Sequence, residues 1–172
     1  MTEDVRWVAA DDPVLRPLVE DLAREYDARY EPTDGVPSSA ELTRYPPEVF
    51  APERGGAFLA LLEDGDDGPL LVAGGAIKRG GAGTDGRPRA ELKRMWTHPD
   101  RRRRGLAGRV LALLEQRAAD LGYTGLELST GARQPEAVAL YLRHGWTPDF
   151  DPGVPQDAAA YLRFTKAVPS AG

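Results

Sequence analysis

Small residues and arginines lie together in one short stretch of the chain, where they could bind an anion. The stretch consists of Arg101, Arg102, Arg103, Arg104, Gly105, Leu106, Ala107 and Gly108. From Leu106 to Leu121, apolar residues recur at steps of three and four, which predicts a helix that begins here. The first amides of a helix lack internal acceptors and lie at the positive end of its dipole. Because small side chains leave such amides open, the stretch predicts a phosphate or pyrophosphate site.

The same stretch has two other interpretations. It could be a solvated arginine run beside a helix whose small residues serve close packing, or it could bind nucleic acid. Nucleic-acid-binding surfaces are usually basic, whereas this chain has a formal net charge of −5. The charge balance therefore argues against nucleic acid as a partner and makes the arginine run a local feature.

The elements that position this stretch can be read from apolar periodicity and from the glycines and prolines between the periodic segments. Strands are predicted at residues 5–9, 57–62, 70–78, 89–97, 125–130 and 160–166. Helices are predicted after Asp12, around 39–45, from Leu106 and from Pro135. The arginine stretch therefore lies between a strand and the helix that follows it.

The order of these elements indicates the topology. The strands at 57–62, 70–78 and 89–97 follow one another through short turns, which favours an antiparallel meander. The strands on either side of the helix from Leu106 form a βαβ unit, so they should run parallel with a right-handed crossover. We therefore predict one mixed α/β domain over residues 1–172, with a central mixed sheet of six to seven strands and about four flanking helices.

The composition also limits the chemistry and the location. The chain has no cysteine, so it has no disulfide, no thiol nucleophile and no cysteine metal ligand. Its two histidines, His98 and His144, lack a carboxylate pattern around them, and no metal site is predicted. No apolar run reaches the roughly 18 residues of a membrane span, and the N-terminus MTEDVRWVAADD is acidic where a signal peptide would be basic. We expect a cytoplasmic protein without a membrane partner.

Two segments resemble the motifs of one known family. Arg102-x-x-Gly105-x-Ala107 resembles the Q/R-x-x-G-x-G/A signature of the GNAT acetyltransferase superfamily, with alanine as the permitted alternative at the last position. The segment QPEAVALYLRHGW resembles the family's N-x-x-A-x-x-L-Y-x-x-x-G-F/W element through Ala137, Leu140, Tyr141, Gly145 and Trp146. The resemblance covers residues 91–146, about a third of the chain, with both motifs in the family's order and spacing.

The resemblance implies a GNAT-like fold that binds acetyl-CoA and needs no metal. It places the pyrophosphate on the amides of the arginine stretch and the pantetheine arm along the end of the strand before it, where backbone groups do the binding. Gln134 stands where the family often has an asparagine that bonds this arm. The implied binding residues are Met95, Trp96, Thr97, Arg102, Arg103, Arg104, Gly105, Leu106, Ala107, Gly108 and Gln134.

The resemblance also implies two catalytic residues. Tyr141 matches the family's tyrosine that protonates the leaving thiolate, and Glu91 has the spacing from Arg102 at which some members carry a glutamate base. Glu127 on the neighbouring strand is a second candidate base. Some relatives have a glutamate two residues after that position, where this chain has Ser129, so Glu91, Glu127 and water remain alternatives.

The activity implied is direct transfer of an acetyl group to a primary amine within a ternary complex, because no thiol can carry the acyl group. The alternative is a non-catalytic acyl-CoA-binding or regulatory module on the same fold. The acceptor is either a small-molecule amine or a protein amine, and the family resemblance is compatible with a homodimer. Tyr30, Tyr45 and Phe50 are candidates to line the acceptor pocket, and the alternative is that they pack a loop onto the core.

Overall fold

A seven-stranded mixed sheet runs through the residues that the computed structural model describes, 3–158 and 160–169. Its order is β1-β2-β3-β4-β5-β7-β6. The strands are β1 (Asp4–Val8), β2 (Ala57–Gly65), β3 (Gly68–Ala82), β4 (Pro88–Thr97), β5 (Gly125–Gly131), β6 (Thr147–Pro148) and β7 (Tyr161–Ala167). The helices are α1 (Arg16–Arg29), α2 (Leu106–Asp120) and α3 (Pro135–Arg143), with short 3₁₀ helices at Pro13–Leu15, Ser38–Thr43, Pro47–Phe50, Pro52–Arg54 and Pro99–Arg101.

This architecture confirms the predicted mixed α/β fold. β2, β3 and β4 form the antiparallel meander, and β4 and β5 form the parallel pair on either side of α2. The fourth predicted helix is the 3₁₀ helix Ser38–Thr43. The short strand β6 was not predicted, because two residues that include a proline give no periodic signal.

Two hydrophobic cores cover the two faces of the sheet. Alternate residues of β2 divide between them: Leu59 and Leu61 belong to the core on the α2 side, whereas Phe58 belongs to the core on the α1 side. Leu114 of α2 and Leu18 of α1 are both fully buried, one in each core. The helices therefore sandwich the sheet and leave its strand ends available for a site.

A β-bulge lies in β4 just before the arginine loop. Lys93 pairs with Ala76 and Trp96 with Gly74, so β4 has one more residue than β3 over this interval. Arg94, inside the interval, has φ 62°, which is rare for a residue with a side chain. The bulge changes which face the following side chains occupy: Leu92 belongs to the core on the α2 side, but Trp96 belongs to the core on the α1 side.

The parallel strands β4 and β5 pair only where they begin. Their register consists of Ala90 with Leu126 and Glu91 with Glu127. Beyond these pairs β4 continues to Thr97 and β5 to Gly131, and β5 is paired with β7 along its whole length. The sheet therefore opens between β4 and β5 on the side where β4 leads into the arginine loop.

Candidate active site

The N-terminus of α2 is open to an approaching anion. Gly105 caps the helix in the left-handed conformation, with φ 74°, and no atom lies within 4 Å of the position a Cβ would take. The first helical hydrogen bond runs from the amide of Arg109 to the carbonyl of Gly105 at 3.1 Å. The amides of Leu106, Ala107 and Gly108 therefore precede the first helical bond and are the free donors that the sequence predicted.

Three arginines of the loop form ion pairs with two carboxylates from other elements. Arg101 and Arg104 contact the buried carboxylate of Glu63 at 3.1 and 3.5 Å, and Arg102 contacts Glu25 of α1 at 2.9 Å. Arg103 has no ion pair among residues 3–158 and 160–169, and its φ is 66°. Among the four arginines of the loop, Arg103 is therefore the one whose guanidinium forms no ion pair in the described ranges.

Gly108 has a packing role that the sequence did not reveal. A Cβ at this position would lie 2.7 Å from Cε1 and 2.9 Å from Nε2 of His144, the residue that caps the C-terminus of α3. Real Cβ atoms do not approach other atoms so closely. A side chain at Gly108 would therefore have to displace the imidazole ring of His144, whatever the Gly108 amide binds.

We expect Gly108→Ala to lower the free energy of unfolding by about 1–3 kcal/mol, because the added methyl group overpacks this contact. In a His144→Ala background the same substitution should cost less than about 0.5 kcal/mol. Urea unfolding of the four proteins in this cycle measures the coupling. An equal cost of Gly108→Ala in both backgrounds would contradict the packing role.

The buried environment of Tyr141 keeps its phenol neutral. Its ring is buried between Trp146 and Phe164, with centroid distances of 5.9 and 5.5 Å. Burial raises the pKa of Tyr141, and the nearby Tyr26 raises it further. No hydrogen bond occupies its hydroxyl within the described part of the chain. Tyr141 therefore remains protonated at neutral pH and is available to donate.

Tyr26 and Glu41 both interact with charged residues of β4, which was not predicted from the sequence. Burial raises the pKa of Tyr26. The charges of Arg94 and Lys93 lower it and that of Glu41 raises it, but burial has the largest effect. Glu41 lies in the 3₁₀ helix Ser38–Thr43 and joins that segment to β4 by ion pairs with Arg94 and, at 3.2 Å, with Lys93. These charges therefore act on Tyr26, which in turn raises the pKa of Tyr141.

The two candidate bases differ in burial and in the hydrogen bonds that their carboxylates accept. Glu127 is buried and accepts hydrogen bonds from the amide of Gly81 at 2.8 Å and from Arg163 at 3.2 Å. Glu91 is about one-fifth exposed, at 21%, and contacts Lys93 at 3.3 Å without a hydrogen bond to backbone. Glu91 is the more accessible of the two carboxylates.

The end of β4 exposes backbone to the opening while its side chains pack elsewhere. Met95 packs on the α2 side, where its sulfur would be 2.8 Å from a Cβ at Gly75. Trp96 is buried on the α1 side and donates from Nε1 to Asp21 at 2.7 Å. Thr97, half-buried, ends the strand. The backbone of these residues therefore borders the opening, and its part in binding stays a prediction.

Gln134 lies across the opening from β4. It caps the N-terminus of α3, and its Nε2 donates to the hydroxyl of Tyr30 at 3.4 Å. The Tyr30 hydroxyl also lies over Gly131 at the end of β5, so a side chain there would have to displace it. The end of α1 therefore contacts the start of α3.

The other two predicted pocket residues have different environments. Phe50 is 5% exposed and packs edge-on against Phe58 at 5.7 Å, so it packs the loop onto the core. Tyr45 is partly exposed and has the ammonium groups of Lys78 and Lys93 at 4.8 and 5.1 Å from its ring centre. Of these two aromatic residues, only Tyr45 contacts charged side chains.

Residues 3–158 and 160–169 contain no group of three or more His, Cys, Asp or Glu side chains placed to hold a metal ion. None of the helices in these ranges combines the length and the apolar character that crossing a bilayer requires.

Comparison with known proteins defines the class. The sequence matches the model of the Acetyltransferase (GNAT) family over residues 18–146, a segment that contains the arginine loop and Tyr141. Because the match covers well over half of the chain, the protein belongs to the GNAT acetyltransferase family. No curated protein matches the sequence significantly.

Solved structures share this fold at low sequence identity. A GNAT-family acetyltransferase from Staphylococcus aureus Mu50 superposes with a TM-score of 0.69 at 13% identity, covering 96% of this chain and 100% of that one. A phosphinothricin acetyltransferase from Sinorhizobium meliloti, in complex with AcCoA, gives 0.68 at 19% identity and covers 98% and 89%. The yncA structure from Salmonella typhimurium, with its cofactor acetyl-CoA, gives 0.66 at 15% identity and covers 100% and 97%.

Proposed function

We propose that this protein is an acetyl-CoA-dependent N-acetyltransferase that transfers the acetyl group directly to a primary amine. The observation that carries the proposal is the opening between β4 and β5 on the side where β4 leads into the open N-terminus of α2. The buried, protonated Tyr141 supports it. Membership of the GNAT acetyltransferase family supports acetyl transfer. The acceptor amine is the part of the proposal that goes furthest beyond the family.

The residues present fit acetyl-CoA. The unpaired edge of β4 after Glu91 offers backbone groups to the amides of a pantetheine arm, as an edge strand does to an added strand. Gly105 leaves the N-terminus of α2 open to a pyrophosphate, and Arg103 adds a guanidinium free of other ion pairs in the described ranges. Two of the structures with this fold contain acetyl-CoA, which also supports this cosubstrate.

Acetyl-CoA supplies a thioester carbonyl that a neutral amine can attack, with release of the CoA thiolate. The chain's own part is to hold the proton that this thiolate needs and to accept the proton that the amine loses. Tyr141 holds the first proton, because burial keeps its phenol neutral. Glu91 accepts the second, directly or through water, since its carboxylate is more accessible than that of Glu127.

A second candidate function is a non-catalytic acyl-CoA-binding module. One observation favours it: both candidate bases have cationic partners in this structure, Glu91 with Lys93 and Glu127 with Arg163. A module of this kind would bind acetyl-CoA as tightly as an enzyme but would not accelerate its reaction with amines. Turnover therefore distinguishes the two functions, whereas binding does not.

We expect acetyl-CoA to stabilise the protein and amines to release its thiol. At about 100 times its dissociation constant, a ligand adds about 2.7 kcal/mol of stability, a shift of several degrees in Tm for a domain of this size. Free CoA can be measured with a thiol reagent, and the enzyme gives no background because it has no cysteine. Stabilisation without amine-dependent thiol release would support the binding module, and the absence of both would contradict either function.

A further inference from the structure

A group of charged residues lies on the α1 face of the sheet beside the β4 bulge. Lys78, Lys93 and Arg94 supply its cations, and their side chains are only 14%, 21% and 6% exposed. Glu41 and Glu91 supply its carboxylates. We call these five residues the charged cluster. It is half-buried, so each unpaired charge within it is poorly compensated by water.

The cluster has more cations than carboxylates. Glu41 is shared by Lys93 and Arg94, and Glu91 contacts Lys93 at 3.3 Å. Burial opposes the charge of Lys93, but Glu41 and Glu91 outweigh it and raise the pKa of that ammonium, so it stays charged. Three cations therefore share two carboxylates. This local excess of positive charge contrasts with the formal net charge of −5 for the whole chain.

Lys78 is the cation with the weakest compensation. Its Nζ donates to the carbonyl of Arg79 at 2.9 Å and faces the ring of Tyr45 at 4.8 Å. The nearest carboxylate oxygen, of Glu91, lies 3.9 Å away, beyond hydrogen-bond distance. An ammonium that is 14% exposed and has donors to spare would gain most from an added anion.

The cluster is adjacent to the groups that perform the proposed chemistry. Tyr26 responds to the charges of Arg94, Glu41 and Lys93, and it also raises the pKa of Tyr141. The cluster contains Glu91, the proposed base. An amine held at Glu91 would therefore bring its own substituents close to Lys78 and Lys93, whose ammonium groups lie 3.9 and 3.3 Å from the Glu91 carboxylate.

An apolar cavity of about 90 Å³ adjoins the cluster. Arg94 and Tyr45 form part of its wall, and the rest comes from Ala10, Val19, Leu42, Pro47, Phe50 and Phe58. The volume suits a few carbon atoms and no charged group. The site thus combines a carboxylate for an ammonium, surplus cations for an anion, and space for a small apolar substituent.

We infer that the acceptor is a zwitterionic amine, an amino acid with a small apolar side chain, whose carboxylate binds at Lys78. The inference rests on the proposed function, since it names the acceptor of that same reaction. The net charge of the whole chain, −5, would by itself favour a cationic acceptor, so the inference differs from what the composition suggests. The local charge, rather than the total, decides what the site accepts.

The test compares amines that share an apolar group and differ in the carboxylate. L-leucine and isopentylamine form such a pair, and kcat/KM for each is measured by thiol release in the wild type, Lys78→Met and Lys78→Gln. We expect both variants to lower the leucine-to-isopentylamine ratio of kcat/KM by roughly ten- to hundredfold, the effect of one charge-assisted hydrogen bond. Because intrinsic amine reactivity is the same for every protein, the change in ratio isolates the carboxylate contact.

Arg6→Met is the matched control. It removes one positive charge from β1, the strand at the edge of the sheet order, and should leave the ratio unchanged. Lys78→Arg keeps the charge and should retain most of the wild-type ratio. An unchanged ratio in Lys78→Met and Lys78→Gln, or a wild type that acetylates isopentylamine but not leucine, overturns the inference while the proposed function stands. Protein that binds acetyl-CoA but acetylates neither amine also overturns the inference, whereas the proposed function fails only if no primary amine causes thiol release.

Discussion

Tyr141→Phe should lower kcat by about 10²–10⁴-fold, the usual contribution of a positioned general acid. The substitution removes only the hydroxyl that would protonate the departing thiolate. That hydroxyl has no hydrogen bond within residues 3–158 and 160–169, so the free energy of unfolding should change by less than about 1 kcal/mol. The dissociation constant of acetyl-CoA should also stay within about threefold of the wild-type value, because the loss concerns the transition state. Steady-state kinetics, calorimetry and urea unfolding measure these three quantities.

The pH profile gives an independent check on the same residue. A tyrosine acts as an acid only while protonated, and its ordinary pKa is about 10. Since burial raises the pKa of Tyr141 above that value, kcat of the wild type should not decline on the alkaline side up to pH about 10. Tyr161→Phe, which removes a hydroxyl from a residue that is 82% exposed, is the matched control and should behave like the wild type. Activity of Tyr141→Phe within tenfold of normal would rule out the proton donor proposed here.

Gly105→Glu should weaken acetyl-CoA binding roughly ten- to hundredfold. The substitution places a carboxylate at the N-terminal cap of α2, where it fills the space that a pyrophosphate would occupy and repels it. A Cβ at this position meets no atom within 4 Å, so the main structural cost is the strain of φ 74° in a residue with a side chain, about 1 kcal/mol. Isothermal titration calorimetry measures the affinity directly.

Gly86→Glu provides an unusually close control for this variant. Gly86 lies in the turn between β3 and β4, has φ 77°, and likewise has no atom within 4 Å of a Cβ position. The two variants therefore introduce the same charge and the same backbone strain at different places. Equal affinities of the two variants for acetyl-CoA would show that the cosubstrate does not bind at the start of α2.

Local sequence patterns predicted most of the fold, because periodicity is set within each element. The Asp12-Pro13 pair, for example, predicted a helix start, and Oδ1 of Asp12 accepts a hydrogen bond from the amide of Val14 at 2.9 Å. The bulge in β4 escaped prediction for a physical reason. Burial still alternates through Leu92, Arg94 and Trp96, but the buried face changes at Arg94. An alternating pattern does not record which face is buried.

The candidate site was predictable only where one segment contains both the residue and its context. Tyr141 and the arginine loop belong to continuous motifs; the structure buries Tyr141 and places the arginine loop after the unpaired end of β4. Glu41 could not be recognised, because its partner Arg94 is far away in the sequence and lies on another element. Gly108 illustrates the opposite case: its type suggested an open backbone, while the ring of His144 explains why a larger residue does not fit.

The brief pairing of β4 with β5 has a mechanical consequence. It divides the sheet into a block of four strands, β1 to β4, and a block of three, β5 to β7, each with its own continuous hydrogen bonding. A change of angle between the blocks costs few backbone bonds, since only Ala90–Leu126 and Glu91–Glu127 form the hinge. A molecule lying in the opening would act as a wedge that sets this angle, so that the stiffness of the sheet depends on what the protein has bound.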